Sequence, residues 1–184
     1  MKRIFIAIKV EPDAALLEMI SSLKSLLAAE SIKWVDPSSI HLTIAFLGNT
    51  DEKRIKILNS MLNYKCPGFN EFEFILAGTG VFKNIRDPRV IWAGIRSSGR
   101  LSDLNVVISA GLKETGFNIE ERPFKPHLTL GRVKSVKNTE NLKFVLDKYS
   151  ETEFQTVLVK EVILFESILQ QTGPVYKPLG RFSL

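Results

Sequence analysis

The chain has 184 residues, of which 45% are hydrophobic and 24% are charged, and its formal net charge is +5. This composition is typical of a folded globular protein and excludes an intrinsically disordered one. No apolar stretch approaches the ~20 residues that a membrane-spanning helix needs, so we expect no membrane partner. The basic balance is compatible with binding of a polyanion such as nucleic acid.

Alternating apolar residues, helical spacing and turn-forming residues divide the chain into predicted elements. In the first half these are a strand at residues 2–10, a helix at 14–30, a strand at 40–48, a helix at 51–63, a long strand or a bent pair of strands at 69–82 and a short strand at 90–95. A turn is predicted at Ser97 and Ser98. The second half contains a helix, a strand, a helix, one or two strands and a final edge strand, at residues 101–115, 127–133, 139–149, 154–169 and 175–184.

This mixed order, with several strands that follow one another directly, predicts antiparallel pairing and an α+β fold. No linker rich in glycine, serine or proline interrupts residues 1–184, so we expect one domain. The only cysteine, Cys66, can form no internal disulfide, which predicts a reducing, cytosolic compartment. Lys9, Glu11 and Asp13 interrupt the first apolar run, so we expect no signal peptide.

Both histidines of the chain lie in the same short motif, His-Leu-Thr followed by an aliphatic residue. His41 and Thr43 form one copy, and His127 and Thr129 form the other, 86 residues later. On a strand, residues two apart share a face. Each motif therefore presents an imidazole and a hydroxyl together, and the repeat predicts two related lobes.

This pairing of groups suits chemistry at phosphorus. One imidazole can act as a base and the other as an acid near neutral pH, and the hydroxyls can bind phosphate oxygens. A single histidine in an apolar strand would more often be structural. Since threonine is about one residue in twenty, two such motifs would arise by chance in roughly one case in 400.

The paired motifs resemble those of the 2H phosphoesterase superfamily, and especially the bacterial and archaeal RNA 2′,3′-cyclic phosphodiesterases, also called 2′-5′ RNA ligases. The resemblance covers the whole chain and rests on RIFIAI, SIHLTIAFLG, VIWAGI, FKPHLTLGRV and ESIL followed by Tyr176. It implies an α+β fold of two related lobes. Each lobe would be an antiparallel sheet with outer helices, and the lobes would face each other across a central cleft.

The resemblance further implies hydrolysis of a 2′,3′-cyclic phosphate at an RNA 3′ end to a 2′-phosphomonoester, without a metal or other cofactor. His127 would be the proton acceptor that activates water, and His41 the proton donor to the leaving 3′ oxygen. Thr43 and Thr129 would bind the nonbridging phosphate oxygens. The implied protein is monomeric, and tRNA fragments are candidate substrates.

Two further substrate-binding residues, Arg132 and Tyr176, are implied by family position. The offset of Arg132 from His127 is odd, so an ideal strand would point it away from the site unless Gly131 permits a bulge. Tyr176 could stack on a base. The remaining aromatic candidates for stacking, most of which we expect in the core, are Phe5, Trp34, Phe46 and Phe82.

The residues leave three hypotheses open: a cyclic phosphodiesterase, a 2′-5′ RNA ligase that joins tRNA halves, and a non-catalytic RNA-binding module. A zinc site is not expected, because two histidines supply only two of the three or four usual ligands. The stretch LAGTGVF lacks the complete glycine pattern of a dinucleotide site and the Lys-Ser/Thr ending of a P-loop.

Overall fold

A computed structural model describes residues 1–96, 99–118, 123–171 and 173–184, so the predicted turn at Ser97 and Ser98 lies outside the described residues. The strands are β1 (Lys2–Lys9), β2 (Ser31–Trp34), β3 (His41–Thr50), β4 (Phe72–Asn84), β5 (Asp87–Arg96), β6 (Leu128–Ser135), β7 (Glu153–Val159), β8 (Glu161–Leu169) and β9 (Pro174–Ser183). The helices are α1 (Ala14–Leu26), α2 (Glu52–Lys65), α3 (Gly99–Glu114) and α4 (Thr139–Asp147).

Each predicted strand and helix is confirmed, with differences at the ends. The 154–169 segment forms two strands, β7 and β8, and the 69–82 segment forms the single strand β4. The predicted helix 14–30 was too long by four residues, since α1 runs only from Ala14 to Leu26. Strand β2 was not predicted, since its four residues directly follow the end of the predicted helix at residue 30 and carry too little alternation to identify a strand.

The strands form one curled antiparallel sheet in the order β7-β4-β5-β6-β3-β1-β8-β9, and β2 pairs with β6. Strand β9 lies at an edge, as Pro178 predicted. The first lobe consists of β3, β1, β8 and β9 with α2 and α3, which contact β9 and β3 respectively. The second lobe consists of β7, β4, β5, β6 and β2 with α1 and α4, which contact β7 and β4.

The predicted α+β class with two lobes is confirmed, and each lobe contributes one motif strand. The lobes are interleaved in sequence, because α1 follows β1 of the first lobe but packs against β7 of the second. Their sheets join between β3 and β6, where Leu42 lies opposite Leu128. Both leucines are fully buried, so the apolar core continues behind the junction.

Three of the helices begin at a capping side chain that the sequence supplies. Asp13, Asp51 and Asn138 each accept a hydrogen bond from the backbone N–H three residues later. Such a cap stabilises a helix by about 1 kcal/mol relative to alanine. Among the described residues, no helix is both long enough and apolar enough to cross a membrane.

Candidate active site

The two motifs meet at the junction of the lobes. Leu42 is paired with Leu128 in an antiparallel register. Continued by one residue on either side, this register sets His41 opposite Thr129 and Thr43 opposite His127. Because the leucines point into the core, the imidazoles and hydroxyls lie on the opposite face of the sheet. The motifs are therefore brought together head to tail, each histidine beside the threonine of the other copy.

Each motif strand contains a bulge at the fourth residue of its motif. In β3 the pairing with β1 passes from Thr43 directly to Ala45, and in β6 the pairing with β5 passes from Thr129 to Gly131. The omitted residues, Ile44 and Leu130, are buried. A bulge shifts the alternation of a strand by one residue. The residue five positions after each histidine therefore lies on the same face as that histidine, whereas regular alternation would place it on the opposite face.

In the second lobe this shift brings Arg132 onto the face that carries His127 and Thr129, although its offset from His127 is odd. The bulge lies at Leu130, and Gly131 has a different role. A Cβ at Gly131 would lie 2.8 Å from Ile32 Cγ2 and 3.1 Å from Trp34 Cε3. Glycine thus permits β2 to approach β6 closely. In the first lobe, the residue that corresponds to Arg132 is Phe46, five positions after His41.

The carbonyl groups at the two bulges are both satisfied, by residues that sequence reasoning missed. The side-chain amide of Asn105 on α3 donates to the Ile44 carbonyl at 3.1 Å. The backbone N–H of Val35 donates to the Leu130 carbonyl at 2.8 Å. A buried carbonyl without a partner would cost about 1–3 kcal/mol, so these bonds stabilise the bulges. Nothing in the spacing of Asn105 or Val35 could have identified this role.

Both imidazoles are held in the same way. His41 Nδ1 lies 2.8 Å from the Ser39 carbonyl, and His127 Nδ1 lies 2.7 Å from the Lys125 carbonyl. A carbonyl only accepts, so Nδ1 carries a proton and donates it in each case. This fixes the neutral tautomer and leaves Nε2 of each ring available to exchange a proton with a substrate.

Aromatic rings fix the orientation of the imidazoles further. The ring of His41 lies 4.9 Å from Phe5 and 4.9 Å edge-on from Tyr176, and His127 lies 4.6 Å edge-on from Phe82. Phe5 belongs to a small buried cluster, separate from the main core, on which Tyr176 packs. Phe5 and Phe82 were candidates for stacking on a nucleobase, but each packs against the ring of a motif histidine.

A cavity of about 450 Å³ lies beside His41. It brings together five of the six predicted site residues, which are His41, Thr43, Thr129, Arg132 and Tyr176. The sixth, His127, does not line this cavity, and the continued register of Leu42 and Leu128 sets it opposite Thr43. The remaining lining residues are Lys33, Trp34, Val35, Asp36, Ser39, Gly173, Pro174 and Val175. The volume is within the range usual for small-ligand sites.

The electrostatic environment favours an anion at this point. Burial lowers the pKa of His41, the hydrogen bond to the Ser39 carbonyl opposes this shift, and the charges of Arg132 and His127 lower the pKa further. Burial raises the pKa of the Tyr176 phenol, and the charges of Arg132 and Arg3 oppose that change. A negative group between the motifs would stabilise the imidazolium form of His41.

Titration of His41 should therefore depend on the occupant of the site. In the free protein we expect its midpoint below the ordinary value of about 6.5, and saturation with inorganic phosphate should raise it. NMR can measure this directly, because the chain has two histidines and the His127→Ala variant assigns their ring signals. An unchanged midpoint with bound phosphate would contradict this description of the site.

The other candidate residues lie elsewhere or are inert. Trp34 lines the cavity but packs its ring against Gly131. Phe46, which is 52% exposed, lies outside the cavity in a second groove. Burial raises the pKa of the Cys66 thiol to about 11, which excludes it as a nucleophile near neutral pH. Within the described ranges, no cluster of three or more His, Cys, Asp or Glu side chains could hold a metal ion.

Known proteins resemble this chain over most of its length. The family model described as LigT like Phosphoesterase matches residues 6–92 and 96–176. An Archaeoglobus fulgidus protein named RNA 2′,3′-cyclic phosphodiesterase is 35% identical over 180 residues, covering 98% of this chain and 99% of its own. A Methanothermobacter thermautotrophicus protein of the same name is 32% identical over 184 residues, covering 99% and 98%.

Solved structures resemble the fold over nearly the whole chain. A crystal structure of a Thermus thermophilus protein has a TM-score of 0.82 at 28% identity and covers 99% of this chain and 97% of its own. Escherichia coli LigT complexed with 3′-AMP has a TM-score of 0.73 at 26% identity, covering 100% and 98%. The similarity therefore includes both lobes and both motif strands.

Proposed function

Because the chain belongs to the LigT-like phosphoesterase family, we propose that it hydrolyses 2′,3′-cyclic phosphate ends of RNA to 2′-phosphomonoesters. The observation that carries this proposal is the antiparallel pairing of the two His-x-Thr motifs on one sheet face. Relatives named RNA 2′,3′-cyclic phosphodiesterase support the same substrate. Two imidazoles can supply both proton transfers, so the proposed reaction requires no metal.

In the proposed mechanism the phosphate lies between the motifs. Thr43 and Thr129 donate hydrogen bonds to nonbridging oxygens, and Arg132 neutralises their charge. His127 Nε2 accepts a proton from water as the water oxygen bonds to phosphorus. The bond from phosphorus to the 3′ oxygen breaks, and His41 Nε2 gives its proton to that oxygen. The product keeps its phosphate on the 2′ oxygen.

This assignment of roles also orients the substrate. The leaving 3′ oxygen belongs to the terminal ribose, so the ribose must lie on the His41 side of the phosphate. The cavity of about 450 Å³ is on that side, between Tyr176 of the first lobe and Arg132 of the second. Water must then approach from the side of His127, in line with the departing oxygen.

The proposal is tested with a short oligonucleotide that ends in a 2′,3′-cyclic phosphate, incubated in EDTA. We expect turnover and a product with a 2′-phosphate, identified by chromatography against 2′- and 3′-phosphate standards. Complete loss of turnover in EDTA, or a 3′-phosphate product, would contradict the mechanism. Binding of the oligonucleotide without turnover would instead favour the RNA-binding module.

RNA ligation is a second candidate function, favoured by a groove on the side from which the nucleophile approaches. This groove has a volume of about 610 Å³ and contains Phe46, with the Arg3 guanidinium 5.0 Å from the ring centroid. The antiparallel register places Phe46 beyond Thr43, at the His127 end of the site. An exposed aromatic ring beside an arginine is suited to stacking a nucleobase.

In ligation a 5′-hydroxyl would replace water, forming a bond from its oxygen to phosphorus while the 3′ oxygen leaves. If the groove binds this second RNA, Phe46→Ala should lower the joining of tRNA halves by about tenfold, because base stacking contributes about 1–3 kcal/mol. Hydrolysis should change little. Phe144→Ala is the matched control, since Phe144 is 73% exposed on α4. Equal losses of joining and hydrolysis would contradict a separate groove for the second RNA.

A further inference from the structure

Two positive side chains lie directly opposite each other beside the site. Lys33 of β2 is paired with Arg132 of β6, and both residues line the cavity next to His41. Paired residues in an antiparallel register project from the same face with Cβ atoms about 4.5–5.5 Å apart. Like charges in this arrangement destabilise a strand pair. Two negative groups in the cavity would remove that cost, whereas the cyclic phosphate supplies only one.

The position of Lys33 allows it to act separately from Arg132. Its ammonium group lies 3.7 Å from the position that a Cβ on Gly173 would occupy, so the side chain extends toward Gly173, the residue that precedes β9 of the first lobe. Asp36 is the only carboxylate among the described residues that line the cavity. Its side chain already accepts hydrogen bonds from the N–H and hydroxyl of Ser38.

We propose that Lys33 binds the internal phosphodiester that precedes the terminal nucleotide, while Arg132 binds the cyclic phosphate. This inference rests on the proposed function, which places the terminal ribose in the cavity through the contact of its 3′ oxygen with His41. The 5′ oxygen of the same ribose carries the next phosphate of an RNA chain. Lys33 would thus distinguish an RNA end from a single cyclic nucleotide.

The test compares two substrates that share a 3′ nucleoside, a nucleoside 2′,3′-cyclic monophosphate and a dinucleotide with the same cyclic end. Lys33→Ala should lower kcat/KM for the dinucleotide by about tenfold, the effect of losing one charged hydrogen bond. Its kcat/KM for the mononucleotide should be unchanged. The slope of log kcat/KM against log salt concentration should become smaller by about 0.7 for the dinucleotide. Lys33→Arg keeps the positive charge, so it should keep the wild-type ratio of kcat/KM for the dinucleotide to kcat/KM for the mononucleotide.

Lys113→Ala is the charge-matched control, because Lys113 is exposed on the outer helix α3. Equal losses for both substrates in Lys33→Ala, or no loss for the dinucleotide, would overturn the proposal. If the wild type hydrolyses neither substrate, the proposed function fails. Equilibrium binding of the two corresponding 2′-phosphates then decides the subsite separately, since Lys33→Ala should weaken only the dinucleotide.

Discussion

Replacing either histidine with alanine is expected to lower kcat for a cyclic-phosphate RNA end by about 10²- to 10⁴-fold, the usual contribution of a positioned acid or base. His41→Ala removes the proposed proton donor, and His127→Ala removes the proposed acceptor. Because both act on the same phosphate, the double variant should lose little more than the slower single variant. Steady-state hydrolysis of a labelled oligonucleotide in EDTA measures all three.

Loss of structure must be separated from loss of chemistry in these variants. The ring of His41 packs against both Phe5 and Tyr176, and that of His127 packs against Phe82. Thermal melting of each variant provides the control, and His→Gln variants retain a hydrogen-bonding side chain that does not titrate near neutral pH. A folded His→Ala variant with wild-type kcat would show that the histidine in question has no part in the reaction.

The second large effect is expected at Arg132. Arg132→Ala should lower kcat/KM by about 10- to 10²-fold, because a hydrogen bond to a charged group contributes about 1.5–3 kcal/mol. Arg132→Lys should recover part of the loss, since lysine restores the charge but not the paired N–H donors. The positive charge of Arg132 lowers the pKa of His41, so its removal should also raise that pKa.

The matched control for Arg132 is Arg89→Ala. Arg89 is exposed on the neighbouring strand β5 and forms an ion pair with Asp87 at 3.2 Å, so its removal should leave kcat/KM unchanged. The ring signal of His41 in NMR provides a reading that is independent of turnover. Unchanged kcat/KM in Arg132→Ala, together with an unshifted His41 titration, would remove Arg132 from the site.

The motifs themselves predicted much of the site. Strand alternation placed His41 with Thr43 and His127 with Thr129, and the pairing of Leu42 with Leu128, continued by one residue on either side, puts both pairs on one face of the sheet. The repeat also predicted two lobes. Family resemblance added Arg132 and Tyr176, and both lie in the cavity beside His41. The acid and base roles, the monomeric state and the cytosolic location stay predictions.

What the sequence could not provide depends on contacts between distant segments. The bulges at Ile44 and Leu130 need Asn105 and Val35, which are remote in sequence and belong to no pattern. Without the bulge at Leu130, alternation alone would point Arg132 away from the site. The position of Lys33 depends on β2, whose four residues give too short a pattern to predict a strand or its partner.

The proposed mechanism requires one neutral and one protonated histidine at a single phosphate, and pH–rate profiles report both protonation states. The wild type should give a bell-shaped profile. His41→Ala should keep only a rise with pH, because its remaining histidine must be deprotonated to act as a base. His127→Ala should keep only a fall with pH. A wild-type profile that is flat between about pH 5 and 9, or variants that both keep the full bell, would contradict the two-histidine mechanism.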